Sequence, residues 1–88
     1  MKNRYTFEKM ELDGEIVAVP VGDGAAELRA VLNVNEEAMR ILELLEEETT
    51  EESIVAQLLT EFEGEREEIA PLVSAFIEQL RQEGLLEE

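Results

Sequence analysis

Apolar and polar residues alternate at the start of the chain, Tyr5 and Phe7 against Thr6 and Glu8, which is the two-residue period of a half-buried strand. Asp13-Gly14 follows as a hairpin signal, and Ile16-Val17-Ala18-Val19 reads as the returning strand. The parity set by Tyr5 and Phe7 fails at Met10 and Leu12, so a bulge or a late register change is expected in the first strand. Pro20 cannot donate to a ladder and belongs at a strand end or on an edge. After a turn at Gly22-Asp23-Gly24, a third strand places Leu28, Ala30, Leu32 and Val34 on one face and Arg29, Val31 and Asn33 on the other. Short connections give an antiparallel order 1-2-3, which leaves the third strand with one vacant side.

The period then changes from 2 to 3.6. Asn35 is placed to cap a helix whose first turn carries Glu36 and Glu37 and whose inner stripe is Ala38, Ile41, Leu42 and Leu45. Glu46-Glu47-Glu48 interrupts the stripe. Thr49 with Glu52 predicts a capping box for a second helix that buries Ile54, Val55, Leu58, Leu59 and Phe62 and ends at Gly64. A third helix presents Ile69, Leu72, Val73, Phe76, Ile77 and Leu80, with Arg81 in its last turn and Gly84 as its stop ahead of Leu85. Pro71 would meet the carbonyl of Glu67 in a straight helix, so either a kink or a regular start only near Glu68 is expected.

Strands over about 4–34 followed by helices over about 36–84 describe one α+β domain spanning 1–88, of winged helix-turn-helix type: a three-stranded antiparallel sheet and then three α-helices. A DNA-binding or regulatory interaction domain is therefore the alternative reading. It is disfavoured by the third helix, where Arg66 and Arg81 stand among Glu65, Glu67, Glu68, Glu78 and Glu83, because a recognition helix is normally rich in donors and cations.

Charge sharpens the exclusion. Asp and Glu number 23 against 7 Lys and Arg, a net of -16. Residues 1–32 hold four basic and six acidic groups, and residues 33–88 hold three and seventeen. Such a field repels phosphate backbones and anionic lipid, so neither nucleic acid nor membrane is expected as a partner. No apolar run approaches the roughly 20 residues that cross a bilayer, and no signal-peptide core follows Met1. With no Cys there is no disulfide framework, which fits a reducing compartment, and a cytoplasmic location is expected. The absence of His as well as Cys removes the usual imidazole and thiolate catalysts and metal ligands, so neither an enzyme nor a cofactor or metal protein is expected.

Several stretches together resemble the family of pyrroloquinoline-quinone biosynthesis protein D (PqqD): Val34-Asn35-Glu36-Glu37-Ala38, Ile41-Leu42-Glu43-Leu44-Leu45, Thr49-Thr50-Glu51-Glu52-Ser53-Ile54, and Ala75-Phe76-Ile77-Glu78-Gln79-Leu80 through Gly84-Leu85-Leu86. The chain departs from the family pattern at Val34, where Leu is usual, at Glu37, where Thr is usual, and at Glu46-Glu47-Glu48, where a Gly turn is usual. The resemblance implies the broader family rather than its founding pathway. It also implies a recognition element that binds the leader of a ribosomally made precursor peptide and presents it to a modifying enzyme, often of the radical SAM class.

Strand physics supports that role independently. A guest peptide can add as a fourth strand along Arg29, Ala30, Val31, Leu32 and Asn33, with its alternate apolar side chains against Val31, Leu72, Val73, Phe76 and Leu80. The same vacant edge can equally pair with a second copy of the chain.

Two rivals from other classes are weaker. Glu52-Ser53-Ile54 at a helix start is similar to the modification site of acyl carrier proteins, but those are helical bundles and this chain opens with strands. Paired carboxylates such as Glu63 and Glu67 could serve acid-base chemistry, yet Glu is so frequent here that such pairs arise by chance.

Overall fold

A computed structural model describes residues 1–22 and 31–88. Its elements are β1 (Lys2–Asn3), β2 (Thr6–Leu12), β3 (Glu15–Val21), β4 (Leu32–Val34), α1 (Glu36–Leu44), α2 (Glu51–Glu61), α3 (Arg66–Gln82) and β5 (Leu86–Glu87). Strands β2, β3 and β4 form an antiparallel sheet in that order, and β1 pairs with β5 in a separate two-stranded ladder. The architecture is the expected α+β arrangement, a three-stranded sheet followed by three helices.

The hairpin joining β2 and β3 follows from Asp13-Gly14. Both residues have positive φ, 51° and 82°, as a two-residue turn matching the right-handed twist of its strands requires. The ladder then runs without interruption from Leu12↔Glu15 to Thr6↔Val21. The expected bulge is therefore absent. Met10 and Leu12 simply occupy the sheet face opposite Phe7, where they are 47% and 55% exposed. Pro20 lies next to the end of β3, beyond the rungs that join β3 to β4.

One sheet face, represented by Phe7, Ala18 and Leu32, shares a continuous core with Ile41, Leu42 and Leu45 of the first helical segment, Ile54, Val55 and Leu58 of α2, and Ile69, Val73, Ile77 and Leu80 of α3. The Asn35 cap forms as expected, its Oδ1 accepting from the Ala38 amide at 2.8 Å. The second cap is displaced by one residue. Thr50, not Thr49, accepts from the Ser53 amide, because both backbone groups of Thr49 are tied to Met1. Helix α3 is continuous from Arg66 through Pro71, two residues earlier than the Glu68 start suggested by the ring clash. Pro71 and Glu67 are both solvent-exposed, so the Glu67 carbonyl that loses its amide partner lies on the outer side of the helix. The helix closes with a Schellman motif: Leu85 N–H donates to the Leu80 carbonyl at 2.9 Å, Gly84 N–H to that of Arg81 at 3.1 Å, and Gly84 adopts φ 73°.

The first residues satisfy free carbonyls at the buried C-terminal end of α1. Asn3 donates its backbone N–H to Leu45 O (2.8 Å) and its Nδ2 to Leu42 O (3.0 Å), while Arg4 N–H donates to Leu85 O (2.8 Å). Asn3 is the buried polar residue of the described core, and its Oδ1 faces no protein donor. The side chain is therefore selected as a donor. Replacing Asn3 with Ala should cost about 1–2 kcal/mol, whereas Asn3→Asp, an acceptor-only charge buried beside helix-end carbonyls, should cost about 3 kcal/mol or more. Urea unfolding of the two variants checks that order.

Candidate functional site

Strand β4 is bonded on one side, through Ile16↔Val34, Val17↔Asn33 and Ala18↔Leu32, and among the described residues the sheet ends there. The C-terminal segment does not fill the vacancy, because β5 is engaged with β1 through Lys2↔Glu87 and Asn3↔Leu86. Among the described residues the outer edge of β4 is free to take another strand.

The site residues read from sequence separate into three groups. Val31 and Asn33 are exposed, Val31 at 59%, and Leu72 is exposed at 38%, with Phe76 half-buried one turn further along α3. These side chains meet solvent. Leu32, Val73 and Leu80 are core residues, the latter two fully buried, so they hold the strand and the helix in place and present no side-chain surface to a guest. Arg29 and Ala30 lie outside the described residues.

The structure adds features that sequence reading did not single out. The hairpin end of β3 and the passage from β4 into α1 enclose an open depression of about 530 Å³ around Ile16 and Val34, with Glu15, Asn33 and Glu36 on its rim. On the outer sheet face, the row Met10, Val17, Asn33 buries Val17 to 8% exposure. The unbroken apolar run Ile16–Val19 was the available signal, since a central strand flanked on both sides shields even an outward side chain from solvent. The depression carried no such signal, because it is assembled from strand ends rather than from any periodic face.

The cations are consumed internally. Among the described residues every Lys and Arg except Arg4 lies within 4.0 Å of a carboxylate. Arg40 grips Glu61 through Nε (2.7 Å) and a terminal nitrogen (3.0 Å), joining α1 to the end of α2. Arg81 holds Glu88 in the same bidentate way (2.9 and 2.8 Å) and also reaches Glu78 at 2.7 Å. These hydrogen bonds hold the Glu61 and Glu88 carboxyls below their ordinary range, with the Gln57 amide assisting at Glu61.

No helix of the described residues is long and apolar enough to cross a membrane, and these residues contain no group of three or more acidic, His or Cys side chains arranged to hold a metal. The family model for coenzyme PQQ synthesis protein D (PqqD) matches residues 15–86. Among solved structures the chain is similar to TbiB1 in complex with the TbiA(beta) leader peptide, with 25% identity and a TM-score of 0.68 over 99% of this chain and 95% of that one. No curated protein matches the chain.

The two carboxylates held by arginine give a pH dependence of definite sign. Their folded pKa values lie below the unfolded ones, so the stability they contribute is present above the unfolded glutamate value, about 4.3, and is lost as pH falls through the folded values. Protonation of the remaining surplus carboxylates relieves repulsion and acts in the opposite direction. The readout is therefore a difference: thermal melts between pH 6 and 2 should show a shallower acid-side decline for Glu61→Gln than for the unsubstituted protein.

Proposed function

The chain belongs to the PqqD family, and from that membership we propose that it is a peptide-binding adaptor rather than an enzyme. It captures the leader of a ribosomally made precursor peptide in a reducing, cytoplasmic setting and presents it to a peptide-modifying enzyme of the radical SAM class. The observation that carries this reading is the one-sided ladder of β4, whose outer backbone groups have no partner among the described residues. The similarity to TbiB1, itself solved with a leader peptide, supports it.

A leader laid along Val31 to Val34 supplies main-chain hydrogen bonds to that edge and becomes the fourth strand. Hydrogen bonds of this kind are insensitive to sequence, so discrimination falls to side chains. Val31, Leu72 and Phe76 offer apolar surface for alternate residues of the guest. Each well-buried apolar residue contributes roughly 1.5–3 kcal/mol before ordering costs, so two or three of them suffice for micromolar binding. Lack of His and Cys is consistent with a carrier role, because the chemistry is left to the partner enzyme.

The test is to search the neighbouring reading frames for a short peptide gene and to titrate labelled protein with the N-terminal half of that peptide, following amide shifts. Amides of Val31–Val34 and Leu72–Gln79 should move on saturation, and Val31→Asp or Leu72→Asp should weaken binding about tenfold or more while leaving the melting temperature nearly unchanged. Saturating peptide that leaves those amides still would overturn the site. Sedimentation of the free protein decides whether a second copy competes for the same edge.

A further inference from the structure

We propose that the leader accepted at this edge carries a Lys or Arg whose side chain enters the depression at the C-terminal end of β4. The inference rests on strand addition to β4 and specifies the chemistry of one position of the guest.

Geometry sets the length of the side chain. The depression straddles the last rungs of the β3–β4 ladder, since Val34 pairs with Ile16 and Asn33 with Val17, and all four residues lie at or next to it. A guest strand on the outer edge runs about 4.8 Å from β4, so a short side chain stops over β4 itself. A long one, projecting on the face shared by Leu32 and Val34, reaches across Val34 toward Ile16. Ile16 and Val34, both half-buried, give that side chain an apolar bed, which suits the methylene stem of Lys or Arg as well as it suits a hydrocarbon.

Charge selects between those two. Glu15 and Glu36 are exposed on the rim. The Lys9 ammonium is shared between Glu36 at 3.7 Å and Glu11 at 3.6 Å, and among the described residues Glu15 has no cation within 4.0 Å. The two rim carboxylates thus have only a share of one counter-charge, in a chain of net -16 where, among the described residues, every other Lys and Arg except Arg4 is paired elsewhere. The positive end of α1 does not invite an anion here, because Asn35 Oδ1 already accepts from Ala38 N–H and Glu36 and Glu37 occupy the first turn. A guanidinium or ammonium head therefore completes the rim, while its stem covers Ile16 and Val34.

Selection from a random-peptide display library with the full chain as bait tests the proposal whatever the sequence of the natural leader. Enriched peptides should combine a segment of alternating apolar residues with a Lys or Arg at a fixed offset, and binding should shift the Asn33 and Val34 amides. Changing that residue to Gln should weaken binding about fivefold, in line with one or two exposed ion pairs. The double variant Glu15→Gln/Glu36→Gln should lose that discrimination and keep its affinity for the apolar segment. Glu47→Gln, in the turn between α1 and α2, should keep both, which separates a local contact from the general attraction of an acidic protein for cations. Enriched apolar segments that carry an aromatic, aliphatic or acidic residue at the offset, or undiminished discrimination in the double variant, overturn the inference and leave strand addition standing. Failure to enrich any peptide that moves the β4 amides overturns both.

Discussion

Three rungs, Ile16↔Val34, Val17↔Asn33 and Ala18↔Leu32, fasten the edge strand to the sheet, and among the described residues they engage only one of its two sides. A backbone edge attracts any extended chain, so it must be rigid enough to template a new strand yet not be satisfied from within. Leu32 supplies the rigidity by inserting its side chain into the core, while its neighbours Val31 and Asn33 point away. The alternation that anchors the strand thereby leaves part of its side-chain surface, and one row of its amides and carbonyls, outside.

Helix α3 shows the same division of labour. Ile69, Val73, Ile77 and Leu80 form its buried stripe, and Leu72 and Phe76 lie beside that stripe, where exposure begins. Burial on one side fixes the helix, so the flank keeps its apolar surface in a fixed place. Ion pairing adds little to this frame, since most pairs are solvent-exposed. Its larger effect is to commit the few cations to intramolecular partners and leave the surface field negative.

Much of this was legible in the sequence, because its determinants are local. The Asp13-Gly14 turn, the Asn35 cap and the Gly84 stop each depend on residues within a few positions, and all three form as read. Features set by distant contacts were not legible. Thr49 has the chemistry of a cap but is held by Met1, 48 residues away, so the second helix begins one residue later. Two-residue strands such as β1 and β5 have no period to detect, and Leu85-Leu86 follows the Gly84 stop with no pattern of its own although both residues enter the core. Val73 and Leu80 could not be told from Leu72 and Phe76 by helical spacing alone, because neighbouring apolar positions straddle the boundary between core and flank.

The ladder between β1 and β5 brings Lys2 and Glu87 face to face at opposite ends of the described chain. A polypeptide that enters the module at one of these residues leaves it at the other, separated by about one strand spacing. Such geometry makes the fold a cassette: it can be spliced into a loop of a larger host, or tethered at either end, with little strain on the host and without drawing on the outer edge of β4.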